Sequence, residues 1–293
     1  MKKDYPYPSG DGNVKWVSTD WLFEHLEDQN LTILDVQPNV YNYVNGHIAN
    51  AVYLNEGVLR APLNGVPTAY VSPESIQPIL RGAGLDPEVP VVVYTGIGRH
   101  NFMGDGLEQT MMAYSLARFG HNKIYVLDGG IDKWREEKKS LTKVIPNAKK
   151  SEFTVKIQKE LFVGYNEFKA IKDRKDVLQV DARPPQFFEG RVQNFVKPGH
   201  IPGGINLPWR RLMNDKNRKL LKEDDEIQSI LEEHGITRDK NILCYCGTGR
   251  EATSEVILFK WYLGFPNVKL YEGSFIEWVS HSENPTVTGK NPR

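Results

Sequence analysis

The chain has 293 residues, 40% of them hydrophobic and 25% charged, with 37 basic side chains against 37 acidic ones. That length suits two domains of about 150 residues each. A net charge of zero removes the electrostatic case for a nucleic-acid or membrane-surface partner, and no apolar run approaches the roughly 18 residues of a membrane-spanning helix.

Taken in chain order, "MKKDYPYPSGDG" at 1–12 has two lysines but no apolar segment behind them. It does not read as a signal peptide, so a cytoplasmic location is expected; a leader removed upstream would change that to periplasmic. "WVSTDWLFEHL" at 16–26 is a strand-like start leading into a helix. "LTILDV" at 31–36 is an apolar strand that ends on Asp35, "NGHIANAVYL" follows at 45–54, and "VPVVVYTGIGR" at 89–99 is a second apolar strand. "FGHNKIYVLDGGIDKW" at 119–134 closes the set. The stretch 138–160 is rich in Lys and reads as a surface connector, with "FTVKIQ" alternating inside it like a short strand.

The same series then returns. "LFVGYNEFKAI" at 161–171, "VLQVDA" at 177–182, "PGHIPGGINL" at 198–207, "KNILCYCGTGR" at 240–250 and "FPNVKLYEGSFIEW" at 265–278 echo the first set in the same order. The chain is therefore read as a duplicated domain, 1–140 and 161–293, joined by a linker at 141–160. Short apolar strands alternating with helical stretches predict an α/β fold. Each half is expected to hold a mostly parallel sheet with helices on both faces. Beyond Cys246, the spacing of Ala252, Val256, Phe259 and Leu263 predicts one apolar helix face.

The chain holds two cysteines, Cys244 and Cys246. A C-x-C pair does not readily bridge itself. No C-x-x-C or H-x-x-x-H nearby completes a four-ligand zinc site, so neither a metal nor a cofactor is expected. Cys244 lies between Leu243 and Tyr245 and reads as buried core. Cys246 ends the strand, where parallel sheets bind ligands, and five residues, Gly247 to Glu251, separate it from the next helix. Gly247 and Gly249 permit a tight turn with inward N–H groups. With Arg250 and the helix start nearby, a thiolate of lowered pKa is expected there. A cysteine phosphatase needs Cys-x5-Arg, but that position is Ala252, so the loop is one residue short for phosphate.

"DAR" at 181–183, "GHIPG" at 199–203, "CGTGRE" at 246–251 and "GSFIEW" at 273–278 together resemble the rhodanese-like sulfurtransferases. The resemblance covers nearly the whole chain and both repeats. It implies two rhodanese folds and a catalytic Cys246 that accepts a sulfur atom as a persulfide and passes it on. The loop residues Gly247, Thr248, Gly249, Arg250 and Glu251 would surround the sulfur, with Arg183 and Arg250 holding an anionic donor and Ser274 closing the site. The first half has Thr95 in place of Cys246 and Gln37 in place of Arg183, and is expected to be catalytically silent. Its loop segment is longer, an extra stretch that includes "HNFMGDG" at 100–106. Thiosulfate is the expected donor. "CGTG" resembles the opening of the mercaptopyruvate sulfurtransferase loop while "RE" departs from it, which places 3-mercaptopyruvate second. A thiol, cyanide or a protein would be the acceptor, and a persulfide carrier without turnover is the alternative. His200, Asp181 and Trp278 have echoes in the silent half (His47, Asp35 and Trp134), so structural roles are expected for them.

Overall fold

The computed structural model describes residues 3–98 and 104–291. Residues 100–103 of the longer first-half loop lie outside the described residues. The chain forms two bodies: the first gathers residues 1–60, 70–158 and 214–221, and the second 61–69, 159–213 and 222–293.

Among the described residues, seven strands come before residue 158: β1 (Val14–Val17), β2 (Thr32–Asp35), β3 (Ala51–Tyr53), β4 (Arg60–Leu63), β5 (Val66–Tyr70), β6 (Val91–Tyr94) and β7 (Ile124–Leu127). Five follow: β8 (Phe162–Val163), β9 (Val177–Asp181), β10 (Gly204–Asn206), β11 (Asn241–Tyr245) and β12 (Val268–Tyr271). The first sheet has the order β1-β7-β6-β2-β3, and the second the order β8-β12-β11-β9-β10. Every pairing in both five-stranded sheets is parallel. β4 and β5 pair separately as a two-stranded hairpin. The two sheets share one topology, as a duplicated sequence requires. All of β6 is buried, as is β11 after Asn241, which is why both read as continuous apolar runs.

Equivalent residues build the two cores. Leu22, Ile48, Tyr94, Ile131 and Trp134 pack in the first, and Phe168, Ile201, Tyr245, Phe275 and Trp278 in the second. Each tryptophan ties down the chain beyond its helix, Trp134 Nε1 donating to the Ser140 carbonyl and Trp278 Nε1 to that of Pro285, both at 2.9 Å. The histidines hold turns in the same way. His47 bridges Thr142 and stacks on Tyr43; His200 bridges Val287 and stacks on Phe188. Burial lowers the pKa of His200.

The connector packs onto the first body. Phe153 is fully buried, and the Lys156 and Gln158 amides donate to the carbonyls of Phe119 and Arg118. The alternating "FTVKIQ" is thus held by backbone bonds without forming a regular strand. The helix after Cys246 also departs from its pattern. It is α-helical over Ala252–Ile257 and then makes a π-turn over Leu258–Tyr262. The Leu263 amide reaches back five residues to the Leu258 carbonyl at 2.9 Å. The extra residue per turn rotates Leu263 off the buried face on which Ala252, Val256 and Phe259 lie.

Both domains bury an aspartate at the end of the second strand of the motif. The Tyr94 hydroxyl donates to Asp35 at 2.7 Å and accepts from the Ile48 amide at 3.1 Å, which ties three chain segments together. Tyr94→Phe removes a donor from a buried carboxylate. It should cost about 1–3 kcal/mol, read as a lower urea midpoint with an unchanged far-UV spectrum.

Candidate active site

Asp181 and Tyr245 are register partners at the ends of β9 and β11. The next residues, Ala182 to Arg183 and Cys246, therefore leave the sheet side by side. Asp181 turns the chain by accepting from the Arg183 amide at 3.0 Å, and it pairs with the Arg183 guanidinium through Nε at 2.9 Å and Nη2 at 2.6 Å. The same Nη2 donates to the Gly199 carbonyl at 2.9 Å, and the guanidinium lies 4.1 Å over the Phe275 ring. Arg183 is only 2% exposed. What it offers the site is therefore charge rather than an unengaged fork, and it is close enough to Cys246 for the two charges to interact. Gln37 makes the neutral version of this turn, its amide and Nε2 both donating to Asp35.

The loop from Gly247 to Glu251 is held from below. The Cys246 amide donates to Ser274 Oγ at 3.2 Å, and that hydroxyl donates to the Tyr271 carbonyl at 2.9 Å. The Phe275 and Ile276 amides donate back to the carbonyls of Cys246 and Gly247, both at 3.0 Å. Ser274 sits at φ +52°, where a side chain is strained, and its first-domain counterpart Gly130 has φ +59°. Gly249 has φ +78°, and a Cβ there would come within 2.6 Å of the Glu272 carbonyl oxygen. A Cβ on Gly247 would approach the Phe195 ring to 3.1 Å. Thr248 accepts at its carbonyl from Thr68 Oγ1 at 3.5 Å, and the half-buried Arg250 accepts at its carbonyl from Thr253 Oγ1 at 2.7 Å. The helix begins at Ala252, as the spacing predicts.

Cys246 is fully buried. The Thr248 and Ala252 amides face its sulfur, and the Glu251 carboxylate, which accepts from the Gly247 amide, lies beside it. The expectation of a lowered pKa is overturned. Burial, then the neighbouring charges of Glu251 and Asp181, outweigh the two amides and push the thiol up to about 12. Burial, followed by Asp181, raises Glu251 as well, with the Gly247 amide, the Cys246 thiol and Arg183 opposing.

A second thiol–carboxyl pair lies deeper. Cys244 is fully buried, as expected, and the fully buried Glu255 lies beside it. Neither Glu255 oxygen meets an N–H or O–H donor among the described residues. Burial, then the charges of Asp181 and Glu251, push its pKa well up.

The repeat also reaches further than the match of Thr95 to Cys246. "GLEQT" at 106–110 is "GREAT" at 249–253. Gly106 and Gly249 both take positive φ, and Thr110 Oγ1 caps the Leu107 carbonyl as Thr253 caps that of Arg250. Thr95 Oγ1 donates to Glu108 Oε2 at 3.2 Å, and Glu108 thus faces Thr95 as Glu251 faces Cys246. The signal was in the sequence, but 13 positions separate Thr95 from Glu108. From Cys246 to Glu251 there are only five, and the longer loop hid the correspondence.

Comparison with known proteins agrees with this architecture. The rhodanese-like domain matches twice, over residues 18–137 and 165–281, and the chain belongs to the rhodanese-like sulfurtransferases. A Synechococcus elongatus protein carrying the provisional name thiosulfate sulfurtransferase is 34% identical over 94% of this chain and 86% of its own length. The sulfur carrier protein TtuD of Thermus thermophilus is 30% identical over 94% of this chain and 96% of its own. The crystal structure of SseA from Escherichia coli, described with the mechanism of 3-mercaptopyruvate sulfotransferases, superposes with a TM-score of 0.77. It is 28% identical and covers 89% of this chain and 98% of its own. Among the described residues no helix is long and apolar enough to cross a membrane.

Ser274→Ala leaves the Cys246 amide without its acceptor and keeps the strained φ, so it should cost about 1–3 kcal/mol. Ser274→Gly loses the same bond but relaxes the backbone, and its urea midpoint should lie between those of Ser274→Ala and wild type. Glu255 gives a pH signature. The native state keeps a proton that the unfolded chain releases above its ordinary 4.5, so stability falls as pH rises beyond that value, by up to about 1.4 kcal/mol per unit. In Glu255→Gln this contribution vanishes, and urea titrations between about pH 5 and pH 8 should show a shallower decline than wild type.

Proposed function

We propose that the chain transfers a sulfane sulfur through a persulfide on Cys246. The Cys246 sulfur attacks the outer sulfur of a small anionic donor, the bond to that sulfur breaks, and the donor's remainder leaves with the bonding pair. A thiol, cyanide or protein acceptor then takes the sulfur and restores the cysteine. The observation that carries this reading is the convergence of the Thr248 and Ala252 amides on the Cys246 sulfur. They are donors placed where negative charge rests in the attacking thiolate and returns when the persulfide gives up its outer sulfur. Gly247, Thr248, Gly249, Arg250, Glu251 and Ser274 shape the donor's surroundings on this reading, and Arg183 supplies positive charge from the Asp181 turn. The first domain takes no sulfur, because Thr95 and Gln37 stand at the positions of the nucleophile and of that charge.

Thiosulfate is the donor we propose. Support comes from the charges of Arg183 and Arg250 and from the name of the Synechococcus relative. The "CGTG" opening of the loop and the likeness to SseA favour 3-mercaptopyruvate as a second reading. The Thermus relative favours a third, in which the persulfide is handed to a protein partner.

Incubation with thiosulfate followed by intact-mass analysis tests the reading. Wild type should gain one sulfur atom, Cys244→Ser should gain it too, and Cys246→Ser should gain none. Loading of Cys246→Ser, or no loading of wild type by thiosulfate or 3-mercaptopyruvate, would refute it. Faster loading by 3-mercaptopyruvate at equal concentration would reverse the order of donors.

A further inference from the structure

Cys246 is fully buried, so a donor or an acceptor reaches its sulfur only past whatever covers the loop. Comparison of the two halves shows where the second has added cover. His47 Nδ1 meets the carbonyl of Tyr43, four positions before it, and His200 Nδ1 meets that of Phe188, twelve positions before it. In both halves the two rings stack. The second half therefore carries eight more residues between these fixed points. They form an irregular loop, and its Phe195 lies against the cysteine loop.

The contact is close. The Phe195 ring stands 3.1 Å from where a Cβ on Gly247 would lie, so the ring takes space that a side chain there would need. It meets Phe275 in a T-shaped contact with centroids 5.4 Å apart, and Phe275 in turn carries the Arg183 guanidinium at 4.1 Å. On Gly96, the first-half counterpart of Gly247, the nearest atoms to the same position belong to Ile131 and Asp132, on the helix after β7. From the buried Gly247 the order outward is half-buried Phe195, then Val196 at 75% exposure. Phe195 is thus the layer between this part of the loop and solvent.

The added loop is pinned near its ends. The Val192 amide donates to the Gln186 carbonyl at 3.0 Å, and Lys197 Nζ donates to that of Ser282 at 2.7 Å. Between them Gln193 Nε2 donates to the Phe195 carbonyl at 3.0 Å. Among the described residues, the main-chain amides of Gln193 to Lys197 donate to no main-chain carbonyl. Lifting Phe195 therefore breaks no backbone ladder and gives up chiefly its apolar contacts.

We infer that Phe195 is a specificity-determining gate, whose ring sets the size of the molecules that reach Cys246. This deepens the persulfide reading above and rests on Cys246 as its nucleophile. A gate of this kind passes slim anions such as thiosulfate and cyanide more readily than a thiol with a bulky substituent. A ring that only filled core space would behave differently. Its loss would lower the urea midpoint and open the loop to reagents of every size alike.

The experiment labels Cys246 in a Cys244→Ser background, with iodoacetamide and with a pyrene-bearing maleimide, and follows both by intact mass. The readout is the ratio of the bulky to the small rate, in which any change in the ionisation of the thiol cancels. Phe195→Ala should raise that ratio about tenfold over the parent. Phe195→Leu should raise it less and Phe195→Trp should lower it, and these two decide the matter if the alanine variant does not fold. Discharge of the persulfide should follow the same order, Phe195→Ala gaining rate toward glutathione relative to cyanide. A ratio unchanged across the variants overturns the inference, as do equal gains for both reagents or a Cys246 that neither reagent labels in any variant. A parent that gains no sulfur from thiosulfate or 3-mercaptopyruvate refutes the persulfide reading instead, while the labelling ratio still decides the gate.

Discussion

The second domain turns on a problem of charge in a dry place. At the ends of β9 and β11 one guanidinium, Arg183, shares a buried region with Asp181, Glu251 and Glu255 and two thiols. Water cannot screen these groups, so each ionisation is set by the others. Asp181 takes the guanidinium through a two-pronged bond. That leaves the remaining acids to hold protons or to find amides. Cys246 and Glu251 find amides, Thr248 and Ala252 for the sulfur and Gly247 for the carboxylate, while burial raises the pKa of both. Neither Glu255 oxygen meets a hydrogen-bond donor among the described residues, and the group is driven further toward its neutral form. Ser274 and Gly249 keep the loop closed over this cluster at the expense of unusual backbone angles.

The first domain shows which parts of this belong to the fold. It keeps the aspartate turn, the tyrosine hydroxyl on that aspartate, the left-handed glycine, the capping threonine and the buried carboxylate facing the strand end. It differs at the two side chains to which the proposed chemistry assigns the nucleophile and the cation. A hydroxyl replaces the thiol, and a neutral amide replaces the guanidinium. Nucleophile and cation are thus both present or both absent. That is what a site for an anionic donor would require, since a thiol among carboxylates with no cation would repel such a donor.

Much of the architecture was legible. The order of echoed segments fixed a duplication, and apolar runs such as Val91–Tyr94 are recognisable as central strands because nothing polar interrupts them. Trp134 and Trp278 were identifiable as core from their shared place after the last strand. The π-turn at Leu258–Tyr262 was hidden, because inserting one residue into a helix changes no residue type. The ionisation of Cys246 was misread for a similar reason. Glycines and a following helix are visible as letters, and they favour an anion. The burial that opposes them depends on how Phe195, Phe275 and the Ser274 turn close over the loop, which only the folded chain displays.

The raised thiol pKa changes how the loop amides should be understood. Were Cys246 a stable thiolate at rest, its amides would already be bound to full charge, and a charged donor would have to enter against it. Burial disfavours that charge at rest, so the Thr248 and Ala252 donors count for most when the sulfur becomes negative during the proposed transfer. Interactions that strengthen only when the new bond forms accelerate that step, whereas those already complete in the resting state do not. On the proposed chemistry the two loop amides therefore act chiefly on the attacking sulfur as its charge develops.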